Sequence, residues 1–146
     1  MYKIILVPLD GSIRAEAILP HVENLASCYS AKVIFLQVLE PNVLYTSPYD
    51  AYPELSLADV EEREPEIDTY LAQIEERFRS QEIDVDHRVE QGPAVRVILD
   101  VAAEEEVDLI AMASHGRSGL ARVFYGSVAA GVLHRIDRPL LLVRSQ

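Results

Sequence analysis

The chain has 146 residues, 49% of them hydrophobic, and a formal net charge of −11, which is enough apolar material for one substantial core and the size of a single domain, 1–146. A field of that sign repels nucleic acid and anionic membrane surfaces, so neither is an expected partner, and any anion site has to be local. Cys28, the only cysteine, cannot close an intramolecular disulfide and reads as a small apolar filler; no apolar run approaches the roughly 20 residues that span a bilayer, and a cytoplasmic protein is expected.

The first element is KIILVPL (3–9), a nearly continuous apolar run of the kind that strands buried on both faces require. It ends in Asp10-Gly11-Ser12. Asp10 and Ser12 either cap the following helix or, for Asp10, offer a carboxylate to the hydroxyls of a sugar. Ile18, Val22, Leu25 and Ala26 then recur at helical spacing. KVIFLQVL (32–39) is a second buried strand, and Gln37-Val38-Leu39 at its end can border a flat ring. Residues 41–57 interleave Pro41, Pro48 and Pro53 with Tyr45, Tyr49 and Tyr52 and break every period. They are expected to be a mobile loop insert, with a lid or partner surface as the functional alternative. The acidic stretch that follows carries Ile67, Tyr70, Leu71, Ile74 and Phe78 at helical spacing, with a solvated outer face.

IDVDHRVE (83–90) alternates Ile83, Val85, His87 and Val89 with charged residues, which suits a strand at a sheet edge. Val95, Ile98, Leu99 and Ala102 mark a third helix, DLIAMA (108–113) a third buried run, Val128, Val132, Leu133 and Ile136 a fourth helix, and PLLLVR (139–144) the last strand. Five strands alternating with four helices imply right-handed crossovers and a parallel sheet covered on both faces. Ligands of such α/β sheets bind beyond the carboxyl ends of the strands, at the switch point, which nominates the turns after Leu9, Leu39 and Ala113.

The third of these turns opens the stretch MASHGRSGLARVFYGSVAAGVL (112–133). From Ser114 to Arg138 it sets Arg117, Arg122, Arg135 and Arg138 against one acid, Asp137, inverting the sign of the whole chain. Gly116, Gly119 and Gly126 let backbone N–H groups turn toward a ligand without a Cβ in the way, and Ser127 falls where the last helix begins. Unpaired first-turn amides, aligned peptide dipoles and a hydroxyl together can hold phosphate. A dipole contact contributes about 0.3–1 kcal/mol, however, against about 8 kcal/mol for a micromolar complex, so a base and a sugar have to supply the remainder. A Walker A loop is excluded because no lysine follows Lys32, and LDGSIRAE lacks the G-x-G-x-x-G of a dinucleotide fold.

At these residues the sequence resembles the universal stress protein family, whose nucleotide-binding members carry G-x-x-G, nine residues, then G-[ST]. ASHG (113–116), nine residues and Gly126-Ser127 match it except that Ala113 replaces the first glycine. The resemblance spans the chain, through ILVPLDGS, VIFLQVLE, EQGPA and RPLLLVR. It implies a flavodoxin-like, Rossmann-like doubly wound α/β fold, a five-stranded parallel sheet of order 3-2-1-4-5 in an α/β/α sandwich. It further implies ATP or AMP as ligand, with Mg2+ accompanying ATP. Pro8, Leu9, Asp10 and Val38 would meet the adenosine and Gly116, Gly126, Ser127 and Val128 the phosphates, with Ala113, Ser114, His115, Arg117 and Gly119 also among the nucleotide-binding residues. Ala113 ends an apolar strand, where φ is negative and a methyl group is tolerated.

A hydrolase built on Ser114, His115 and Asp10 is not expected, because adjacent strand-end residues diverge and no G-x-S-x-G elbow is present. Efficient phosphoryl transfer also lacks a lysine clamp and a carboxylate pair, although slow ATP hydrolysis stays open. The last strand is short, apolar and, in this topology, an edge, so two copies are expected to pair antiparallel through 140–144 in a homodimer. The expected function is regulatory adenine-nucleotide binding in a stress response. The alternative is a dimeric scaffold of the same fold that works through protein partners and leaves the cleft empty.

Overall fold

The computed structural model describes residues 1–40, 43–44, 54–55, 57–115 and 126–145, with side chains described from residue 63 in the helix that begins at Leu57. Five strands, β1 (Ile4–Leu9), β2 (Lys32–Leu39), β3 (Val85–Gln91), β4 (Leu109–Ala113) and β5 (Leu140–Val143), pair in parallel in the order β3-β2-β1-β4-β5. They alternate with α1 (Leu19–Tyr29), α2 (Leu57–Arg79), α3 (Ala94–Glu104) and α4 (Ser127–Arg135), α1 being preceded by a 3-10 turn at Ala15–Ile18. From β1 the chain works outward to β2 and β3, then crosses back to β4 on the other side of β1 and continues to β5. The gap between β1 and β4 is therefore the switch point of a doubly wound sheet.

Side chains alternate across a strand, so a strand that is apolar at every position serves two cores at once. Ile5, Val7, Val33 and Phe35 pack with Ile18, Val22, Leu71 and Phe78 under α1 and α2. Leu6, Ile34, Leu36 and Ile110 pack with Ile98, Ala102, Ala129 and Val132 under α3 and α4. Phe35 and Phe78, both fully buried, meet edge to face with ring centroids 4.9 Å apart, a geometry that adds roughly 0.5–1.5 kcal/mol to the area they bury.

The outer strands are the two the sequence marks as edges. β3 starts with the expected alternation, Val85 buried and Asp86 exposed, but His87, Arg88, Val89 and Glu90 are all half-buried. Other expectations need correction. Cys28 is exposed on α1 rather than a core filler, and Leu133 is 44% exposed despite its helical spacing. Within 41–57, Val43–Leu44 and Glu54–Leu55 form a short antiparallel pair and α2 begins at Leu57; the expected mobile insert otherwise lies outside the described residues.

β3 is fastened to α2 by His87. Its Nε2 lies 2.7 Å from Asp68 Oδ1 and its Nδ1 lies 2.9 Å from Glu75 Oε1, and buried Glu75 also meets Arg79 at 3.2 Å. A ring flanked at both nitrogens by carboxylates donates twice only as the imidazolium. Burial disfavours that charge, but the hydrogen bonds to Asp68 and Glu75 outweigh it and hold the His87 pKa above its ordinary 6.5. The stabilisation is therefore complete below about pH 6.5 and is lost as pH rises through the raised folded value. Urea unfolding across pH 6–9 should show wild-type stability falling relative to His87→Gln, whose side chain does not titrate. Parallel pH profiles for the two proteins would contradict this clamp.

Candidate functional site

A cavity of about 300 Å³ opens at the carboxyl ends of β1, β2 and β4. Pro8, Leu36, Val38 and Met112 form its apolar wall, α3 contributes Ala94 and Ile98, and the first turn of α4 contributes Ser127, Val128 and Ala129. Of the residues nominated from sequence, Pro8, Leu9, Asp10, Val38, Ala113, Ser114, His115, Gly126, Ser127 and Val128 all line this one cavity. Gly116, Arg117 and Gly119 lie outside the described residues.

The turn after β1 is a braced bend. Gly11 takes φ 81, a left-handed conformation that a side chain would strain. Asp10 Oδ1 accepts hydrogen bonds from the backbone N–H and the hydroxyl of Ser12, at 2.9 and 2.6 Å. Ser12 Oγ in turn accepts from the N–H of Ala15 at 3.2 Å, at the head of the 3-10 turn. Ser12 is thus a capping residue, while Asp10 braces it and also lines the cavity.

The turn after β4 is anchored on both sides. The N–H of Ser114 donates to Val143 O at 2.8 Å, tying it to β5, and the N–H of Gly126 donates to Ser114 O at 2.7 Å. Gly126 has an ordinary φ of −65, so its role differs from the one read from sequence. Its amide is engaged by protein rather than turned toward a ligand, and a Cβ there would lie 3.2 Å from Ser114 O and 3.6 Å from His115 Cα. Glycine is present because two backbones touch. The first turn of α4 begins immediately afterwards, with no side-chain cap, which leaves early amides of a helix N-terminus beside the cavity.

Ser114 is buried, its Oγ 3.1 Å from His115 Nδ1 and 3.4 Å from the N–H of Ser145. The arginines need correction. Arg138 Nη1 donates to the carbonyls of Ala102 and Val107, at 2.6 and 3.2 Å, closing the carboxyl end of α3. Arg135 sits in the last turn of α4, at the opposite end from the cavity, and Arg117 and Arg122 lie outside the described residues. A different cation, Arg63 of α2, lines the cavity together with Glu40. Glu40 Oε1 accepts the N–H of Ala94 at 2.9 Å and so caps α3 from the end of β2. Arg63 was hidden in sequence by the acidic run around it. The Glu40–Ala94 contact joins residues too far apart for any local pattern to reveal.

A cavity of mixed apolar and polar lining at the switch point of a doubly wound sheet is where α/β folds of this kind hold small ligands. The family model described as the universal stress protein family matches residues 1–144, and the chain belongs to that family. A universal stress protein of Methanocaldococcus jannaschii is 31% identical, the match covering 99% of this chain and 96% of that one. Among solved structures, a universal stress protein in complex with cAMP matches with a TM-score of 0.73 at 23% identity, covering 99% of this chain and 98% of that one. An Arabidopsis thaliana universal stress protein family protein with AMP bound matches with a TM-score of 0.68 at 15% identity, covering 99% and 92%.

Because Gly126 abuts Ser114 and His115, Gly126→Val should destabilise the protein by about 1–3 kcal/mol, the usual range for overpacking. Urea denaturation measures it; a variant as stable as wild type would mean that Ser114 and His115 yield to a side chain at position 126 without cost.

Proposed function

We propose that the chain binds an adenine nucleotide, AMP or ATP, in this cavity and acts as a regulatory protein of the stress response. The observation that carries the proposal is one cavity holding three kinds of surface: the apolar wall of Pro8, Leu36, Val38 and Met112, the carboxylate of Asp10, and the uncapped start of α4 at Ser127. These suit a flat base, a polyol and a phosphate in turn. The base is assigned to Pro8, Leu9 and Val38, the ribose hydroxyls to Asp10. The phosphates are assigned to the turn from Ala113, Ser114 and His115 through Gly116, Arg117 and Gly119 to Gly126, Ser127 and Val128. Mg2+ accompanying ATP would find a carboxylate in Asp10. The same fold carries cAMP or AMP in the two solved structures described above.

One observation favours a second reading. Ala113, which stands at the first glycine of the family motif, is a buried residue of β4, and its methyl group narrows the approach to the turn. The second reading is a scaffold that works through protein partners without nucleotide. Denaturing the purified protein and analysing the supernatant by absorbance and mass distinguishes the two, with co-released adenylate expected. Calorimetry should then give micromolar affinity for AMP or ATP, weakened at least about tenfold by Gly126→Val. Wild-type protein without adenylate or affinity supports the scaffold, and an unchanged affinity in the variant contradicts the phosphate assignment.

The proposal extends to a cytoplasmic, single-domain homodimer joined antiparallel through 140–144. Support comes from β5, a half-buried strand at the sheet edge, Leu140 to Val143, all apolar. An uncovered apolar edge is prone to aggregation, and a two-fold partner covers it. Sedimentation at micromolar concentration should give a dimer; a monomer throughout that range would refute the pairing.

A further inference from the structure

Arg63 is half-buried on α2 and lines the cavity. It stands four residues before Ile67, one turn along the stripe of Ile67, Leu71 and Ile74 that packs on the sheet, and residues so spaced share a face. The other two arginines of α2 are paired, Arg77 with Glu23 at 2.6 Å and Arg79 with Glu75 at 3.2 Å. Among the described residues Arg63 has no such partner. The lining carboxylates are engaged elsewhere, Glu40 by the N–H of Ala94 and Asp10 by Ser12. The two helix layers fix what Arg63 faces. Leu36, Val38, Ile98 and Met112 belong to the core under α3 and α4, whereas α2 covers the opposite face of the sheet. Beyond the ends of the strands the sheet no longer separates the layers, and the cavity spans both, with Ala94 and Ile98 from one and Ala15 and Arg63 from the other. A flat ring lying against Leu36, Val38 and Met112 therefore turns its second face toward α2.

We propose that Arg63 stacks its guanidinium on that second face, so that the base is held between an apolar wall and a cation, an inference that rests on the adenine-nucleotide reading. Stacking is preferred over an ion pair with the phosphates because of position. α2 packs on β2 and β3, and the base is assigned to the ends of β1 and β2. The phosphates are assigned to the start of α4 at the end of β4, which is two strands from β2, about 10 Å at ordinary strand spacing. Arginine suits the task because its guanidinium is planar, permanently charged and more weakly hydrated than an ammonium, and the face of an aromatic ring attracts it.

The test uses Arg63→Met, which keeps an unbranched stem without the charge or the plane, and Arg63→Lys, which keeps the charge without the plane. AMP affinity is measured by calorimetry, adenosine and ribose 5-phosphate by displacement of AMP, and thermal unfolding is followed without ligand. Because Arg63 has no ion-pair partner among the described residues, both unliganded variants should melt with wild type. In Arg63→Met the affinities for AMP and adenosine should fall together, about fivefold, and that for ribose 5-phosphate, which has no base, should not change. Arg63→Lys should recover only part of the loss, since an ammonium has no flat face to lay on the ring. A loss for AMP and ribose 5-phosphate but not for adenosine would place Arg63 on the phosphate and overturn the proposal. Full recovery by lysine would reduce the contact to a point charge, and a lower melting temperature without ligand would give Arg63 to the fold; either overturns it as well. Unchanged AMP affinity in both variants would remove Arg63 while leaving nucleotide binding intact, whereas a wild-type protein that binds neither AMP nor adenosine would fail the nucleotide reading itself.

Discussion

The hydrogen bond from the N–H of Gly126 to the carbonyl of Ser114, 2.7 Å long, fixes the geometry on which the site depends. It holds the chain against the end of β4 and starts α4 there, so that the helix N-terminus borders the cavity. A Cβ at position 126 would crowd Ser114 O at 3.2 Å and push the two backbones apart by a few tenths of an ångström. Ser114 is itself held by Val143 and Ser145, and the site wall is thereby continuous with the edge strand β5. Position 126 selects glycine through crowding, since its φ is open to any residue.

The charge that dominates the composition is spent away from this cavity, on the outer surfaces of β3 and α2. Arg88 meets Glu90, Glu104 and Glu105. His87 meets Asp68 and Glu75, and Tyr70 donates to Glu16 at 2.8 Å. The exposed ion pairs of Arg88 contribute about 0–1 kcal/mol each, whereas Glu75 beside His87 is buried. His87 and Tyr70 position α2, Arg88 ties β3 to the carboxyl end of α3, and all of them blunt an edge strand with polar groups. The core is apolar on both faces of the sheet, and the cavity lies at the switch point between β1 and β4.

Most of the fold was legible because parallel strands buried on both faces read as unbroken apolar runs. KVIFLQVL coincides with β2 at both ends, and DLIAMA and PLLLVR overrun β4 and β5 only by their flanking residues Asp108, Pro139 and Arg144. Strand order is not written in any period; it came from the resemblance carried by ASHG and Gly126-Ser127. The cavity's lining was legible where it lies at the ends of strands, as at Pro8, Asp10 and Val38. It was illegible where it depends on helices crossing from elsewhere, as at Arg63 and Ala94. Arginine density near Gly126 misled because Arg135 and Arg138 serve helix ends remote from the cavity.

The central claim is that the ends of β1, β2 and β4 enclose an adenine nucleotide with its phosphate at the start of α4. Backbone amide chemical shifts followed by NMR during titration with AMP test it most directly. The largest saturable changes should fall on Asp10, Val38, Ser114, Ser127 and Val128. Changes centred on β3 or β5, or none at millimolar AMP, would contradict it.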